Sequence, residues 1–460
     1  STLMRSSAAS DVYKRQIILQ AKQAKDYYLL IGPPGTGKTN LALKSMVQEY
    51  LLTAEAANRN CETYYHDNAL LITAYTNRAV DEICSMLDNL SQSMSFDYLR
   101  IGSEQTTAAV HHSHLLSVRA HNLPNRKVAL SMIQNIPIIV GTVVSLTNAQ
   151  IIFNKKRFHT AIIDEASQLL EPQILGLLSA KVNGENAIQK FVLIGDHKQL
   201  PAVVQLPENQ TMVEVKELHQ IGLFNLRNSL FERLHWLEKN HDRSNFVGLL
   251  NHQGRMHSDI AQFVNAKFYD GKLCVVPLPH QIEKLDWQHT DNIYEQFVAQ
   301  TRIGFVRIAQ LKNTDNLCVN IPEASAITKI IEAICTLHSK NALENFEPAK
   351  QIGIIVPFRS QISAIRNSLR KQGLACADTI TIDTVECYQG SQRDYILYST
   401  TISEPYQVHI ISNLQEIDGN IVDRKLNVAL TRARKQLFIF GNPEILRHSP
   451  LYSCLLYTSP

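Results

Sequence analysis

The sequence lacks the features that mark membrane, disulfide-rich and zinc-binding proteins. No apolar run approaches the roughly 18–20 residues that a membrane-spanning helix needs. The eight cysteines form no C-x-x-C pair, which argues against zinc ribbons and disulfide frameworks and favours a reducing compartment. The formal net charge of +3 is too small to predict a nucleic-acid partner and does not exclude one. With no secretory signal visible, we expect a soluble, intracellular protein, cytoplasmic or, in a eukaryote, nuclear.

What the sequence does contain is a series of short apolar runs of the kind that form buried strands. Hydrophobic residues make up 45% and charged residues 19% of the 460 positions, as in ordinary globular proteins of two or three domains. Helical patterns separate the runs, and this alternation is typical of parallel sheets with helices on both faces. The predicted strands are Tyr27–Ile31, Leu70–Ala74, Ile136–Val140, Thr160–Ile163, Phe191–Ile194, Phe246–Leu250, Gly353–Val356, Ile380–Ile382, Tyr395–Ser399 and Leu437–Phe440. Because these are too many for one sheet of usual size, we predict two α/β domains.

The boundary between the domains is predicted in the polar, helix-rich region 201–245, which holds no strong strand. Two long polar stretches do not fit the alternation and are interpreted as insertions or surface loops. Both ends of the chain resemble cloning scars and are left out of the fold prediction. The predicted organisation is a first domain over 17–240 with an insertion near 91–135, a second domain over 241–454 with an irregular stretch near 277–324, and non-native tails at 1–16 and 455–460.

The most informative stretch is Gly32–Thr39, which reads G-P-P-G-T-G-K-T. It lies between an apolar run and a helix-like segment, which is the context of a phosphate-binding loop. Its three glycines let the backbone turn N–H groups toward phosphate oxygens, and the following helix directs its positive end at the same anion. Lys38 is predicted to contact the β- and γ-phosphates, and the Thr39 hydroxyl to ligate Mg²⁺. The predicted nucleoside-triphosphate-binding residues are Gly32, Pro33, Pro34, Gly35, Thr36, Gly37, Lys38 and Thr39.

Two further polar clusters follow predicted strands. Asp164 and Glu165 come directly after an apolar run, where adjacent carboxylates are costly unless they bind a cation. We predict that Asp164 holds Mg²⁺ and that Glu165 deprotonates the water that attacks the γ-phosphate. The segment G-D-H-K-Q-L-P ends another strand, and Gln199 within it is the predicted γ-phosphate sensor.

Together these motifs resemble, in order, those of superfamily 1 helicases. The segments at 73–82 (T-A-Y-T-N-R-A-V-D-E), 140–146 (V-G-T-V-V-S-L), 250–257 (L-N-H-Q-G-R-M-H), 356–360 (V-P-F-R-S), 381–394 (T-I-D-T-V-E-C-Y-Q-G-S-Q-R-D) and 426–434 (L-N-V-A-L-T-R-A-R) continue the resemblance. It covers roughly Ile17 to Asn442. The most similar group, subgroup B, contains the nonsense-mediated-decay RNA helicase and the Okazaki-fragment nuclease-helicase.

The resemblance implies two tandem RecA-like P-loop NTPase domains with ATP and Mg²⁺ bound between them. The first domain would supply the phosphate loop, the two carboxylates and Gln199. The second would supply Arg255 and Arg432 as arginine fingers, since a planar guanidinium stabilises the charge that develops on phosphate oxygens. Arg434 is an alternative finger, although a structural ion pair is the favoured interpretation of that residue.

The resemblance also implies a single strand of DNA or RNA bound across both domains. Small hydroxyl and amide side chains there would hold phosphates and sugars without reading sequence. An ordinary turn or helix cap is the alternative for each residue. The implied contacts are Thr76, Asn77, Thr142, Pro357 and Thr384.

Three departures from the family pattern affect recognition of the base and ribose. Gly254 stands where an aromatic residue is usual, which removes a stacking partner for adenine. Gln392 replaces an acidic residue and would contact the ribose as an amide. The upstream glutamine that reads adenine would correspond to Gln16, at the edge of the predicted tail.

The sequence thus predicts an ATP-hydrolysing helicase or translocase on single-stranded nucleic acid, moving 5′ to 3′ by resemblance. An ATP-gated clamp or remodeller that does not separate strands would use the same motifs. A plain P-loop phosphotransferase is a third alternative, with an ATPase indifferent to nucleic acid. An accessory or nuclease module outside this sequence is compatible with all the motifs.

Overall fold

The computed structural model describes residues 15–58, 63–309, 317–341 and 346–458. These residues form two compact units. The first unit runs to Leu250 but leaves out Lys198–Leu200, and the second contains Lys198–Leu200 and everything from Asn251 onward. Among the described residues, no helix combines the length and the apolar character that crossing a bilayer requires.

The first unit is built on a seven-stranded parallel sheet. From one edge to the other its strands are Tyr98–Ile101, Ile138–Thr142, Ala69–Ala74, Phe158–Asp164, Ile188–Gly195, Tyr27–Ile31 and Val247–Leu249. Leu30 and Ile72 pack into a core on one face, whereas Leu29 and Leu71 pack into a second core on the other. Because successive strand residues point to opposite faces, burial on both faces explains why the strands are mostly apolar.

Helices cover both faces of this sheet. The α-helices are 15–23, Lys44–Asn58, Tyr64–Asp67, Asn77–Ser91, Leu116–His121, Arg126–Asn135, Val143–Asn148, Gln150–Phe153, Glu171–Leu178, Lys216–His219 and Leu230–Asn240. A π-helical turn occupies Lys38–Leu43, and 3₁₀ turns occupy Glu104–Thr106, Ala109–His114, Ala166–Gln168, Glu208–Gln210 and Ser244–Phe246. A small antiparallel pair joins Lys181–Val182 to Glu185–Asn186.

The second unit has a five-stranded parallel sheet. Its strands are, in order, Ile303–Arg307, Ala433–Gly441, Arg393–Ser399, Ile352–Val356 and Thr381–Thr384. Ile355 and Ile396 face one buried core, and Ile354 and Leu397 face another. This sheet is therefore also covered on both sides, and the predicted α/β class with parallel sheets flanked by helices is confirmed.

Helices and short pairs complete the second unit. The α-helices are Ser258–Phe268, Pro279–Ile282, Ile293–Gln300, Ile321–Lys340, Pro348–Gln351, Arg359–Lys371, Val408–Ile411, Arg424–Leu430, Pro443–Leu446 and Pro450–Thr458. A 3₁₀ turn occupies Pro405–Gln407. His252–Gln253 pairs in parallel with Cys274–Val275, and Leu414–Ile417 pairs antiparallel with Asn420–Asp423.

The structure differs from the predicted organisation at the two polar stretches. The stretch near 91–135 contains Tyr98–Ile101, an edge strand of the first sheet, and the stretch near 277–324 contains Ile303–Arg307, an edge strand of the second. Each is short and carries an arginine, so neither resembles the apolar central strands. Both stretches are therefore part of the folded units rather than loops alone.

The boundary and the C-terminal end differ as well. We predict the boundary at 240/241, but Val247–Leu249 pairs with Tyr27–Ile31, so the first unit extends to Leu250. The helix Pro450–Thr458 runs into the predicted tail at 455–460, and Leu455 is buried in the core of the second unit. Of the predicted tail at 1–16, only Arg15 and Gln16 fall within the described residues, at the start of the helix 15–23.

Candidate functional site

The phosphate loop, Gly32–Thr39, connects the strand Tyr27–Ile31 to a helix that begins at Lys38. Gly35 and Gly37 have φ values of 76° and 79°, in the left-handed region that favours glycine. A Cβ on Gly32 would lie 2.2 Å from Cγ of Lys38, so the lysine stem occupies the space that a side chain would need. The predicted need for glycine at these positions therefore has a physical basis in the loop.

The loop is fixed by hydrogen bonds at its beginning and end. Gly32 N donates to Gly195 O at 2.9 Å, which joins the loop to the end of the adjacent strand. The Thr36 hydroxyl donates to Pro33 O at 2.7 Å. Gly37 O accepts from the backbone N–H groups of both Leu41 and Ala42, at 2.9 and 3.0 Å, which produces the π-helical first turn. The helix thus begins at the loop, where its N-terminal end suits the phosphates that the loop is predicted to bind.

Asp164 and Glu165 lie beside this loop, at the carboxyl end of the strand Phe158–Asp164. The Thr39 hydroxyl donates to Asp164 Oδ2 at 2.8 Å, and Lys38 Nζ lies 3.3 Å from Glu165 Oε1. Glu165 has a φ of 52°, a left-handed conformation that is uncommon outside glycine. Its carboxylate also accepts from Gln168 Nε2 at 3.2 Å. The structure therefore gathers Lys38, Thr39, Asp164 and Glu165 into one site within the first unit.

The electrostatics of Asp164 are those of a carboxylate that suits a cation. The side chain is buried, with 3% of its surface exposed. Burial and then the neighbouring Glu165 raise the pKa of Asp164 to about 6, while Lys38 and the hydrogen bond from Thr39 act in the opposite direction. Carboxylate and hydroxyl oxygens are the ligands that Mg²⁺ prefers. The Thr39 hydroxyl and the Asp164 carboxylate therefore fit Mg²⁺.

Gln199 is not where we predict it. The first domain was expected to supply this residue, but Lys198–Leu200 belong to the second unit. Leu200 packs in a core of that unit, and Asn427 Nδ2 donates to Lys198 O at 2.7 Å. These contacts explain why the three residues leave the first unit directly after its strand Ile188–Gly195.

The second unit brings Arg255, Gln392 and Arg432 together, and we call this group the arginine cluster. Arg255 Nε donates to Gln392 Oε1 at 2.8 Å, and Arg255 Nη1 donates to Thr431 O at 3.3 Å. Arg432 is 1% exposed and its Nη2 donates to Gln199 Oε1 at 3.4 Å. Two guanidinium groups and two side-chain amides therefore meet at one place in the second unit.

Arg434, the alternative arginine finger, forms an ion pair with Asp394 instead of joining the arginine cluster. Its Nη1 lies 2.8 Å from Asp394 Oδ1, and Asp394 Oδ2 accepts from Gln351 Nε2 at 3.0 Å. Arg434 thus forms an ion pair, as its favoured interpretation, a surface or structural ion pair, expects. Gln16, within the helix 15–23, is exposed.

The residues predicted to contact nucleic acid lie at the carboxyl ends of strands. In the first unit, Thr76 and Thr142 follow or end the paired strands Ala69–Ala74 and Ile138–Thr142. Both hydroxyls cap helices, Thr76 by accepting from Ala79 N and Thr142 from Ser145 N, each at 3.1 Å, and Asn77 begins the first of these helices. Both threonines therefore cap helices, which is the alternative to a nucleic-acid contact at these positions.

In the second unit the predicted contacts are Pro357 and Thr384. Pro357 follows the strand Ile352–Val356, and Thr384 ends the neighbouring strand Thr381–Thr384. Both residues are half-buried. In each unit the predicted contacts therefore lie together at the carboxyl ends of neighbouring strands.

Ser167 shapes the nucleotide site and was not among the residues predicted from the sequence. A Cβ on Gly195 would lie 2.9 Å from the backbone N of Ser167, and the Ser167 hydroxyl accepts from Asp196 N at 3.2 Å. Ser167 thereby packs the turn after Glu165 against the end of the strand Ile188–Gly195. Its place two residues beyond the acidic pair was a signal that could have indicated it.

The fold and site together define a P-loop nucleoside triphosphatase with two α/β units. Two family models, each described as an AAA domain, match the chain, one over residues 10–129 and 120–206 and the other over 226–444. These matches, together with the order of the motifs, confirm the resemblance to superfamily 1 helicases. The chain belongs to that family and resembles the group that contains the nonsense-mediated-decay helicase and the nuclease-helicase.

Curated relatives agree with this family. The chain is 30% identical over 453 residues to the DNA replication ATP-dependent helicase/nuclease JHS1 of Arabidopsis thaliana, covering 96% of this chain and 29% of that protein. It is 29% identical over 336 residues to Helicase sen1 of Schizosaccharomyces pombe, covering 73% and 18%. It is 26% identical over 468 residues to Regulator of nonsense transcripts 1 of Dictyostelium discoideum, covering 93% and 30%. The chain thus spans about a third or less of the length of these relatives.

A solved structure is also similar at low identity. The complex of Arterivirus nonstructural protein 10 (helicase) with DNA is 14% identical and covers 93% of this chain and 62% of that chain, with a TM-score of 0.41.

Proposed function

We propose that this chain is an ATP-dependent helicase or translocase that moves 5′ to 3′ on single-stranded nucleic acid. The observation that carries the proposal is the grouping of Lys38, Thr39, Asp164 and Glu165 around a glycine loop at the head of a helix. The names of the relatives, which include a DNA replication helicase and a regulator of nonsense transcripts, support the helicase class and leave both DNA and RNA as substrates.

The residues of the first unit have distinct roles in hydrolysis. Lys38 binds the β- and γ-phosphates, and the backbone of the loop holds the same anion. Glu165 accepts the proton of the attacking water, and its hydrogen bond from Gln168 orients the carboxylate. Thr39 and Asp164 would hold Mg²⁺, which neutralises charge on the phosphate oxygens when it is bound.

The arginine cluster supplies the positive charge that hydrolysis requires as negative charge develops on the γ-phosphate. We infer that Arg255 and Arg432 donate to phosphate oxygens and that Gln199 senses the γ-phosphate. The bond between Arg432 and Gln199 supports a shared role for these two side chains. Gln392, whose amide oxygen accepts from Arg255, positions that guanidinium and is the proposed ribose contact.

Nucleic acid is proposed to bind at the carboxyl edges of the two sheets. Thr76, Asn77 and Thr142 would contact phosphates and sugars in the first unit, and Pro357 and Thr384 in the second. These side chains carry no pattern that reads bases, so binding should be independent of sequence. A nuclease module, as in the relative named a helicase/nuclease, is a proposed partner in a longer protein.

The proposal is tested by two measurements on the same protein. ATP hydrolysis is measured with single-stranded DNA and with RNA of matched sequence, and displacement is measured on duplexes with 5′ or 3′ tails. Stimulated hydrolysis with displacement from the 5′-tailed duplex is expected. Stimulation without displacement would identify an ATP-gated clamp, and hydrolysis indifferent to nucleic acid would identify a phosphotransferase and refute the proposal.

A further inference from the structure

Thr401 has a backbone conformation that is rare for its residue type. It follows the strand Arg393–Ser399 and has a φ of 58°. A β-branched side chain in the left-handed region is strained, and such residues persist only where their surroundings hold them. Thr401 is fully buried, so the contacts that hold it lie within the second unit.

The side chain that holds Thr401 is Glu323, in the first turn of the helix Ile321–Lys340. The backbone N–H of Thr401 donates to both carboxylate oxygens of Glu323, at 3.1 and 2.9 Å. The Ser399 hydroxyl donates to Glu323 Oε2 at 2.5 Å, and Asn320 Nδ2 donates to Oε1 at 3.2 Å. Every partner is a donor, so the site is built for an acceptor at both oxygens.

The acidic group is costly at this place. Glu323 has no exposed surface, and burial raises its pKa to about 8, against the opposing effect of the hydrogen bonds from Ser399 and Thr401. A glutamine of the same shape would avoid that cost, but its NH₂ group would face donors. The acidic side chain therefore satisfies the donors of the turn, although its burial is costly.

The same network reaches the helix that follows Pro357, where Gln361 N donates to Phe358 O at 3.1 Å. Gln361, near the start of the helix Arg359–Lys371, donates through Nε2 to Ser399 Oγ at 3.3 Å and to Asn320 O at 3.0 Å. Its Oε1 accepts from Asn320 N at 2.8 Å. The strands Ile352–Val356 and Arg393–Ser399 are neighbours in the sheet, so this network joins the loops at two adjacent carboxyl ends.

We propose that Glu323 is a positioning residue for single-stranded nucleic acid in the second unit. It touches no nucleic acid itself. It holds the turn at Thr401 and, through Ser399 and Gln361, fixes the segment around Pro357 in the conformation that binds the strand. This inference rests on the proposed function and assigns the geometry of the binding edge to one buried carboxylate.

The test compares Glu323→Gln with the wild-type chain. The concentration of single-stranded nucleic acid that gives half-maximal ATPase stimulation should rise about tenfold, which corresponds to the free energy of about one hydrogen bond. The KM for ATP and the unstimulated rate should stay at wild-type values, because the hydrogen bonds of Glu323 go to Asn320, Ser399 and Thr401 and not to the phosphate loop or the arginine cluster. Glu295→Gln is the matched control, since Glu295 is another buried acid of the second unit and pairs with Lys340 instead.

A second variant separates positioning from folding. Glycine adopts a positive φ without strain, so Glu323→Gln/Thr401→Gly should fold and regain most of the lost nucleic-acid affinity. A folded Glu323→Gln that binds like the wild type, or a double variant that stays weak, would overturn the inference. A wild-type chain whose ATPase ignores nucleic acid would instead overturn the proposed function.

Discussion

The hydroxyl of Thr39 donates a hydrogen bond of 2.8 Å to the carboxylate of Asp164. This bond joins the phosphate loop to the end of a different strand, and it places two oxygen ligands suited to Mg²⁺ side by side. The carboxylate is buried at this position, which makes its ionised form costly until a cation is bound.

Asp164→Asn should separate stability from activity. Burial raises the pKa of Asp164 to about 6, so the carboxylate is ionised and destabilising at pH 7.5, and the neutral amide should raise the free energy of unfolding by on the order of 1 kcal/mol. Hydrolysis should fall by about 10²-fold or more because an Mg²⁺ ligand is lost. Thermal unfolding in EDTA without nucleotide, together with ATPase assays, checks both effects. A variant that is less stable than the wild type would contradict this account.

Glu165→Gln should leave ATP binding intact while hydrolysis falls by about 10²- to 10⁴-fold. The amide keeps the shape of the side chain but accepts no proton from water. Equilibrium binding of a fluorescent ATP analogue and single-turnover hydrolysis measure the two properties. Gln168→Ala is a useful companion, since it removes only the bond to Glu165 and should cause a smaller loss. Turnover retained in Glu165→Gln would show that another group acts as the base.

Arg255→Ala should lower turnover far more than nucleotide affinity, by about 10³-fold for an arginine finger. Arg434→Ala is the matched control because Arg434 is paired with Asp394, and its loss should affect stability with little effect on the rate. The measurement is kcat and KM for ATP with saturating nucleic acid. A change confined to KM in Arg255→Ala would exclude the finger role.

Gly32→Ala should weaken ATP binding. The added Cβ would lie 2.2 Å from Cγ of Lys38, so the lysine must leave its place or the loop must shift. Gly102→Ala serves as the control, because its nearest neighbour, Thr107 Oγ1, is 3.5 Å from the added carbon. Titration calorimetry with ATP should show the loss only in the first variant, and equal affinities would disprove the packing argument.

Acid should destabilise the second unit through His338. The ring is 8% exposed and stacks on Phe346, and burial, followed by Lys435, lowers its pKa to about 4 from 6.5. The stability that this neutral ring contributes is therefore present above pH 6.5 and is lost as the pH falls toward 4, by on the order of 2 kcal/mol. His338→Phe keeps the ring stack without a titrating group, so unfolding measured across this pH range should show a shallower slope. An unchanged slope would assign the acid sensitivity elsewhere.

The sequence predicts the central strands well and the edges poorly, for a physical reason. Central strands are buried on both faces and contain continuous apolar runs, whereas the edge strand Tyr98–Ile101 carries Arg100, which is buried and pairs with Asp81. No local pattern reveals that partner. The phosphate loop and the acidic pair were predictable because their chemistry constrains consecutive residues.

The roles of residues that depend on tertiary contacts could not be predicted from local sequence patterns. Gln199 lies four residues after a strand of the first unit, yet packing by Leu200 assigns it to the second. Glu323 sits in a stretch that looks irregular, and its importance comes from Thr401, far along the chain. Both depend on partners that the sequence does not place nearby.

The left-handed conformation of Glu165, with a φ of 52°, has a consequence for directed evolution. A glycine there would relieve about 1 kcal/mol of backbone strain, and the neighbouring Asp164 is also destabilising when ionised. A library screened for heat resistance alone should therefore enrich replacements at these two adjacent positions. The most robust descendants of this chain would be those that no longer hydrolyse ATP.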